Sequence, residues 1–260
     1  MKNYKLLILN IIVFSNIAKA QDSLFLFSNP RYVVIKRNTI PISDIDGNYY
    51  KTLKISSQTW MEENLNVTKY NDGTVIQSIT DRKIWGTLTT GAVCTYNNTT
   101  NINSIKTYGR LYNWYAVHSG KLCPKGWHVP SDAEWTTLEN NLILGGYNFD
   151  GSYVYNYIAK SMASKIGWNQ SITKGAIGNI SITNNSSNFN AIPGGGRGSN
   201  GEYDTNIGNV CFWWTSTDVV LATEESNSTA WGRYLNFCEN DFKSGVGYKG
   251  SGFSVRCLKN

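Results

Sequence analysis

Leu122-Cys123-Pro124-Lys125-Gly126-Trp127-His128-Val129-Pro130-Ser131-Asp132-Ala133-Glu134-Trp135 is the stretch on which the reading of the fold turns. Its second half is a helix start. Ser131 and Glu134 stand three residues apart, so the Ser131 hydroxyl can accept from the Glu134 amide while the Glu134 carboxylate reaches back. Trp135, Leu138 and Leu142 then recur at helical spacing and define a buried stripe, and Gly145-Gly146 ends the helix.

Upstream, Leu111, Trp114, Tyr115 and His118 also fall on one helical face, which predicts a helix from Tyr108 to about His118. Further back, Tyr49–Ile55 alternates as a strand does, and Gln58–Met61 resumes after a Ser-Ser break, so the two read as an opening hairpin. Asp44-Ile45-Asp46-Gly47-Asn48 and Asn71-Asp72-Gly73-Thr74 are turn signals, the second leading into Val75-Ile76. Downstream, a weaker helical pattern runs through 154–163. Residues 167–210 are rich in Gly, Asn and Ser with little periodicity, which marks a long ordered loop. Phe212–Ser216, Trp231–Phe237 and Gly252–Cys257 read as three late strands. The order is hairpin, helix, helix, long loop, strands. With no strand–helix–strand alternation, the class is α+β with an antiparallel sheet.

At the N-terminus, Lys2 and Lys5 precede the apolar run Leu6–Phe14, and Ala18-Lys19-Ala20 offers small residues to a signal peptidase. Residues 1–20 are therefore expected to be a secretory signal peptide, residues 21–43 a leader, and residues 44–260 one domain. The run is too short for a membrane anchor, no later segment is apolar enough to span, and no Cys follows the cleavage site to carry a lipid. Export to the periplasm, the cell surface or the medium is the expectation.

Loss of Lys2, Lys5 and Lys19 leaves 24 basic residues less three facing 18 acidic ones, so the net charge falls from +6 to +3. That charge is evenly spread and argues against a nucleic-acid partner. Aromatic residues make up 13% and charged residues only 16%, a balance that suits strands, turns and loops rather than a helix bundle. The five cysteines, Cys94, Cys123, Cys211, Cys238 and Cys257, show no C-x-x-C spacing, and an exported chain permits disulfides among them.

Several stretches resemble the Fibrobacter succinogenes major paralogous domain family. They are Asp46-Gly47-Asn48 with Tyr50; Gln58, Trp60-Met61 and Glu63-Asn64-Leu65; Tyr108–Val117; Leu122–Trp135; Phe189–Gly195; and Gly252–Cys257. The match runs over roughly residues 44–260. Val129–Trp135 and the closing segment are also similar to the corresponding parts of formylglycine-generating enzymes. The resemblance implies a C-type-lectin-like fold: two helices packed on a small twisted antiparallel sheet, with long ordered loops and late strands displayed as a binding face. It implies extracytoplasmic bacterial proteins with no common ligand. It also implies a Cys123–Cys257 bridge, worth about 4–5 kcal/mol in the chain-entropy account. Cys211 and Cys238 stand where the family carries other residues, and a second bridge between them is expected, leaving Cys94 free.

Enzymatic readings find little support. The resemblance to formylglycine-generating oxidases would carry over only with a close pair of late cysteines, and Cys238 and Cys257 are far apart. A three-histidine iron site cannot be built from His118 and His128 alone. No G-x-S-x-G elbow occurs, and no cofactor or metal is implied. Asp204, Glu202 and Asn206 read as turn formers rather than cation ligands. Gly194-Gly195-Gly196-Arg197-Gly198 lacks the ending of a phosphate loop and reads as a tight packing loop. The sugar-binding motifs of calcium-dependent lectins are missing, so fold alone does not bring that function.

The recognition chemistry concentrates late in the chain. Trp213, Trp231, Arg233, Tyr234, Asn236, Asn240, Phe242 and Tyr248 combine rigid aromatic area with adaptable hydrogen bonding. Of the neighbours Trp213 and Trp214, strand alternation directs one inward. The expectation is an exported, non-catalytic binding module for a glycan or an extracellular protein. An oxidase-like enzyme and a purely structural surface component are the alternatives.

Overall fold

A computed structural model describes residues 35–203, 207–219 and 228–260. The expected signal peptide and residues 21–34 of the leader lie outside these. In chain order the first half holds β1 (Ile35–Ser43), β2 (Tyr49–Ile55), β3 (Gln58–Met61), β4 (Gln77–Ser78), α1 (Arg82–Trp85), β5 (Ala92–Cys94), α2 (Ile102–Tyr108), β6 (Leu111–Tyr112), α3 (Trp114–His118) and β7 (Trp127–His128). The second half holds α4 (Asp132–Leu144), α5 (Ala159–Met162), β8 (Val210–Asp218), β9 (Thr229–Asn236), β10 (Lys243–Tyr248) and β11 (Leu258–Lys259). Helices and several small, mainly antiparallel sheets are mixed. Among the named strands of the described residues only the short β4 and β5, joined through α1, pair in parallel, which leaves the class α+β. Among the described residues no helix is long and apolar enough to cross a membrane.

The predicted hairpin forms. β2 and β3 pair from Thr52↔Met61 to Ile55↔Gln58, and Ser56 takes the positive φ of 55° that so tight a turn requires. The hairpin joins a five-stranded antiparallel sheet in the order β1-β2-β3-β11-β7. Residues 35–43, read as leader, supply its edge strand: Ile35 stands opposite Ile55 and Ser43 opposite Tyr49. The chain's last strand thus lies between the hairpin and β7, closing the domain on its own beginning.

The capping box holds α4 as predicted. Ser131 Oγ accepts from the Glu134 amide at 3.3 Å, and a Glu134 carboxylate oxygen accepts from the Ser131 amide at 2.7 Å. Trp135, Leu138 and Leu142 are fully buried. The upstream helix differs from expectation. Gly109 ends α2 at φ 75°, Leu111 and Tyr112 pair as β6, and Asn113 restarts the chain as the N-cap of α3. A Cβ at Gly109 would come within 2.7 Å of Asn64 Cβ and 2.9 Å of the Leu65 carbonyl, so this close crossing of two chains interrupts the helix.

The late strands form an antiparallel sheet, β10-β9-β8. The predicted strand at 252–257 is shorter than its pattern suggested. Gly252, Phe253 and Ser254 make single bridges to Arg197, Tyr112 and Trp213, and β11 follows. The strand that does complete this sheet, β10, has glycines at alternate positions, and the apolar pattern passed over it.

Two apolar clusters flank β8. Trp213 joins Trp60, Trp135, Phe189 and Phe242 on one side. Trp214 joins Met61, Tyr112, Trp114 and Val255 on the other. Both tryptophans are fully buried. The rule that one of two neighbours faces solvent fails here because β8 is covered on both faces.

Candidate functional site

The late-strand candidates do not form one surface. Trp213 and Phe242 are in the core, and Trp135 lies 5.6 and 5.7 Å from their rings. Arg233 is 4% exposed and spent on α4. Its Nε donates to Asp132 Oδ1 at 2.8 Å, its Nη1 to Glu139 Oε2 at 2.9 Å and its Nη2 to Thr136 Oγ1 at 2.7 Å. A guanidinium removed from water needs these partners, so it staples helix to sheet instead of facing a ligand. Asn236 Oδ1 accepts from the Cys238 amide at 3.2 Å and shapes the turn after β9. The Asn240 carbonyl accepts from the Ala159 amide.

Trp231, Tyr234 and Tyr248 keep accessible surface, on two different faces. Trp231 stands opposite Val246 in register, with Ser244 and Tyr248 two residues either side of Val246 on β10. Val246 is 53% and Tyr248 61% exposed. The intervening Gly245 and Gly247 face the other way. A Cβ at Gly247 would meet Phe253 at 2.8 Å and Trp214 at 2.9 Å, so glycine lets these rings lie flat on the sheet. Tyr234 belongs to that inner side and packs 5.7 Å from Phe212. The outward strip is therefore Trp231, Ser244, Val246 and Tyr248.

Of the two expected bridges, one forms. Cys123 and Cys257 are joined. Cys211 and Cys238 are both free, which corrects the second. The register explains it: Cys211 stands opposite Leu235 with its side chain in the core, whereas Cys238 lies beyond the end of β9 and is exposed. Cys94 is free and buried. Burial pushes the thiols of Cys94 and Cys211 up from the ordinary range, with Arg197 and Arg256 respectively opposing.

The loop candidates are occupied or outside the described residues. Glu202 is paired with Arg82, and Asp204 and Asn206 lie outside. The glycine-rich loop packs as predicted. Arg197 lies over Trp85 at 4.3 Å and donates to the carbonyls of Ile79, Thr80 and Gly201.

A concave site occurs elsewhere, at the turn after β3, the strand entry to β5 and the end of α3. It is a cleft of about 450 Å³, with Tyr70, Asp72, Thr90, Tyr115, His118 and Lys121 among its lining. The helical spacing of Tyr115 and His118 puts both on the cleft side of α3. His118 stacks on Trp114 at 4.7 Å and 24°. Lys121 Nζ donates to Asp72 Oδ2 at 2.8 Å, and this hydrogen bond holds the Asp72 carboxyl well below the usual carboxylate range. Sequence reasoning found the Asn71–Thr74 turn and the α3 face but not their meeting. Long-range bonds bring them together: the Asn71 amide donates to the Lys121 carbonyl, Asn71 Nδ2 to the Cys123 carbonyl, and Lys121 Nζ to Asp72.

The sequence model of the Fibrobacter succinogenes major domain matches residues 53–259. The chain belongs to this family. No curated protein and no solved structure matches the chain.

The residues that carry the family likeness to the Fibrobacter succinogenes major domain are, in the structure, joints of the scaffold. Asn64 Oδ1 accepts from Trp213 Nε1 at 2.9 Å and from Arg256 Nη2 at 3.1 Å, while its Nδ2 donates to the Tyr108 carbonyl at 2.9 Å. Arg256 is fully buried, 4.4 Å above Phe189 and 5.5 Å from Trp213. Burial lowers its guanidinium to about 10, with Glu63 the main opposing charge. His128 bonds Glu134 at 2.9 Å and Asn260 at 2.7 Å, tying the capping box to the C-terminus. Three family segments, those of Asn64, Tyr108 and Arg256, therefore meet at one buried side chain, Asn64, together with Trp213 of β8.

Proposed function

We propose that the protein is an exported, non-catalytic binding module of C-type-lectin-like fold, whose late sheet presents a ligand face to an extracellular glycan or protein. The observation that carries this is the outward strip on β9 and β10. Ser244, Val246 and Tyr248 of the outer strand β10 line up on one sheet face with Trp231 of the neighbouring β9, and among the described residues no strand pairs with the far edge of β10. An aromatic and aliphatic strip of this kind, flanked by hydroxyls and backbone groups, suits an extended chain.

The lectin-like reading is supported by the β11 closure onto the opening hairpin, by the Cys123–Cys257 link into the closing segment, and by a late sheet reached through a long loop. The oxidase-like alternative is disfavoured by chemistry. Nucleophilic thiols need a lowered pKa, whereas Cys94 and Cys211 are buried and pushed the other way. Cys238 is free and exposed, but Cys257, the late cysteine it would have to pair with, is in a disulfide with Cys123.

The test is a glycan-array and surface pull-down screen with the purified chain. A saturable partner should weaken tenfold or more in Trp231→Ala and Tyr248→Ala, with the near-UV spectrum unchanged. Binding indifferent to both, or a blank screen from folded protein, would move the assignment to a structural surface component.

A further inference from the structure

We infer that the cleft between the 70–74 turn and the end of α3 is a second binding site, and that it takes a neutral saccharide ring. Its volume, about 450 Å³, lies within the range of small-ligand pockets. Its walls are fixed before any ligand arrives. The Asn71 amide bonds the Lys121 carbonyl at 2.9 Å, and Asn71 Nδ2 bonds the Cys123 carbonyl at 2.9 Å, next to the disulfide. On the opposite side, Asn113 Nδ2 donates to the Thr90 carbonyl at 2.8 Å, and its Oδ1 accepts from the Ala92 amide at 2.9 Å. Asn113 is fully buried and also caps α3, so a single side chain sets the distance between the Thr90 wall and the Tyr115 wall. A site held this way spends little of its binding energy on ordering.

The lining chemistry selects the ligand class. Tyr70 and Tyr115 supply ring surface for the C–H face of a sugar. Asp72 and Lys121 are bonded to each other, which leaves the ammonium two N–H donors beside an ionised acceptor with lone pairs to spare, a pairing that matches two neighbouring hydroxyls. Asp72 and Lys121 neutralise one another as an ion pair, which favours a neutral ligand over a charged one. Gly91 lines the cleft. A Cβ there would collide with the Tyr70 hydroxyl and lie 3.1 Å from Ala116 Cα, so glycine is what lets Tyr70 keep its place in the lining.

This inference stands apart from the late-strand strip, and the two fail separately. The chain has two histidines, His118 in the cleft and His128 bonded to Glu134 and Asn260, so the imidazole NMR signals provide a probe and an internal control. The full chain is titrated with glucose, galactose, mannose and their oligomers, and in parallel with glucuronic acid and inorganic phosphate. A neutral sugar should shift the His118 signals saturably and leave those of His128 in place. The affinity read from the His118 signals should fall tenfold or more in Tyr115→Ala and in the exposed-site variant Lys121→Met, whatever binding the late strip contributes elsewhere on the molecule. No saturable His118 shift with any neutral sugar, a response to the anions alone, or a shift that survives both cleft variants would overturn the proposal.

Discussion

The late sheet and the early cleft use similar residues for opposite ends. In the late sheet Trp213, Arg233 and Phe242 look like a recognition set, yet each is consumed by packing, Arg233 on Asp132 and Glu139 and the two rings around Trp135. In the cleft Tyr115, His118 and Lys121 are scattered in type and modest in number, yet they keep accessible surface around a concave space. Aromatic and arginine enrichment marks regions of high interaction energy, and a buried joint and a binding surface draw on the same side chains. Accessibility and concavity separate them.

Four measurements sharpen or break that contrast. The largest effect is expected from Cys123→Ala with Cys257→Ala, because this link spans 134 residues and joins the cleft's end of the molecule to the closing segment. A loss of about 4–5 kcal/mol in denaturant unfolding is the expected outcome, and a loss under 1 kcal/mol would show the two regions to be held together by packing alone. Next, Trp213→Ala should cost about 3–5 kcal/mol as a core truncation. Retained stability with lost binding would instead return Trp213 to the ligand face.

A smaller effect is expected at the helix cap. Burial alone would raise the Glu134 carboxyl, but hydrogen bonds from Ser131 and His128 outweigh it and hold the group below its ordinary 4.5. A carboxyl depressed in the folded state stabilises fully above its unfolded value and loses that contribution as pH falls through the folded value. Glu134→Gln should thus cost about 0.5–1 kcal/mol at neutral pH, and the gap from the parent should close below about pH 4. A gap independent of pH would remove the charge from the explanation. The smallest effect is expected from Lys121→Met and Tyr248→Ala, each within about 0.5 kcal/mol of the parent in thermal unfolding. A larger loss at either would make that residue a structural one and weaken its place in a site.

Much of the scaffold was legible in one dimension because its signals are local. The Ser131–Glu134 box, the Trp135–Leu138–Leu142 stripe and the β2–β3 hairpin each depend on residues within a few positions of one another. The readings that failed depend on distant chain. The α2–β6–α3 break exists because Asn64 and Leu65 cross at Gly109, and the burial of both Trp213 and Trp214 requires a cluster on each side of β8. The expected Cys211–Cys238 bridge assumed that neighbouring strands bring neighbouring cysteines together, but the register places Leu235 opposite Cys211.

By itself the sequence determined the α+β class, the capped helix and the family, along with the Cys123–Cys257 pairing that the family likeness implied. Those follow from short-range hydrogen bonding, periodicity and long motifs. Only the tertiary structure decided which aromatic and charged residues remain available. Availability is a property of what covers a side chain, and the covering elements come from parts of the chain a hundred residues away, as Asp132 does for Arg233 and Asn64 for Arg256.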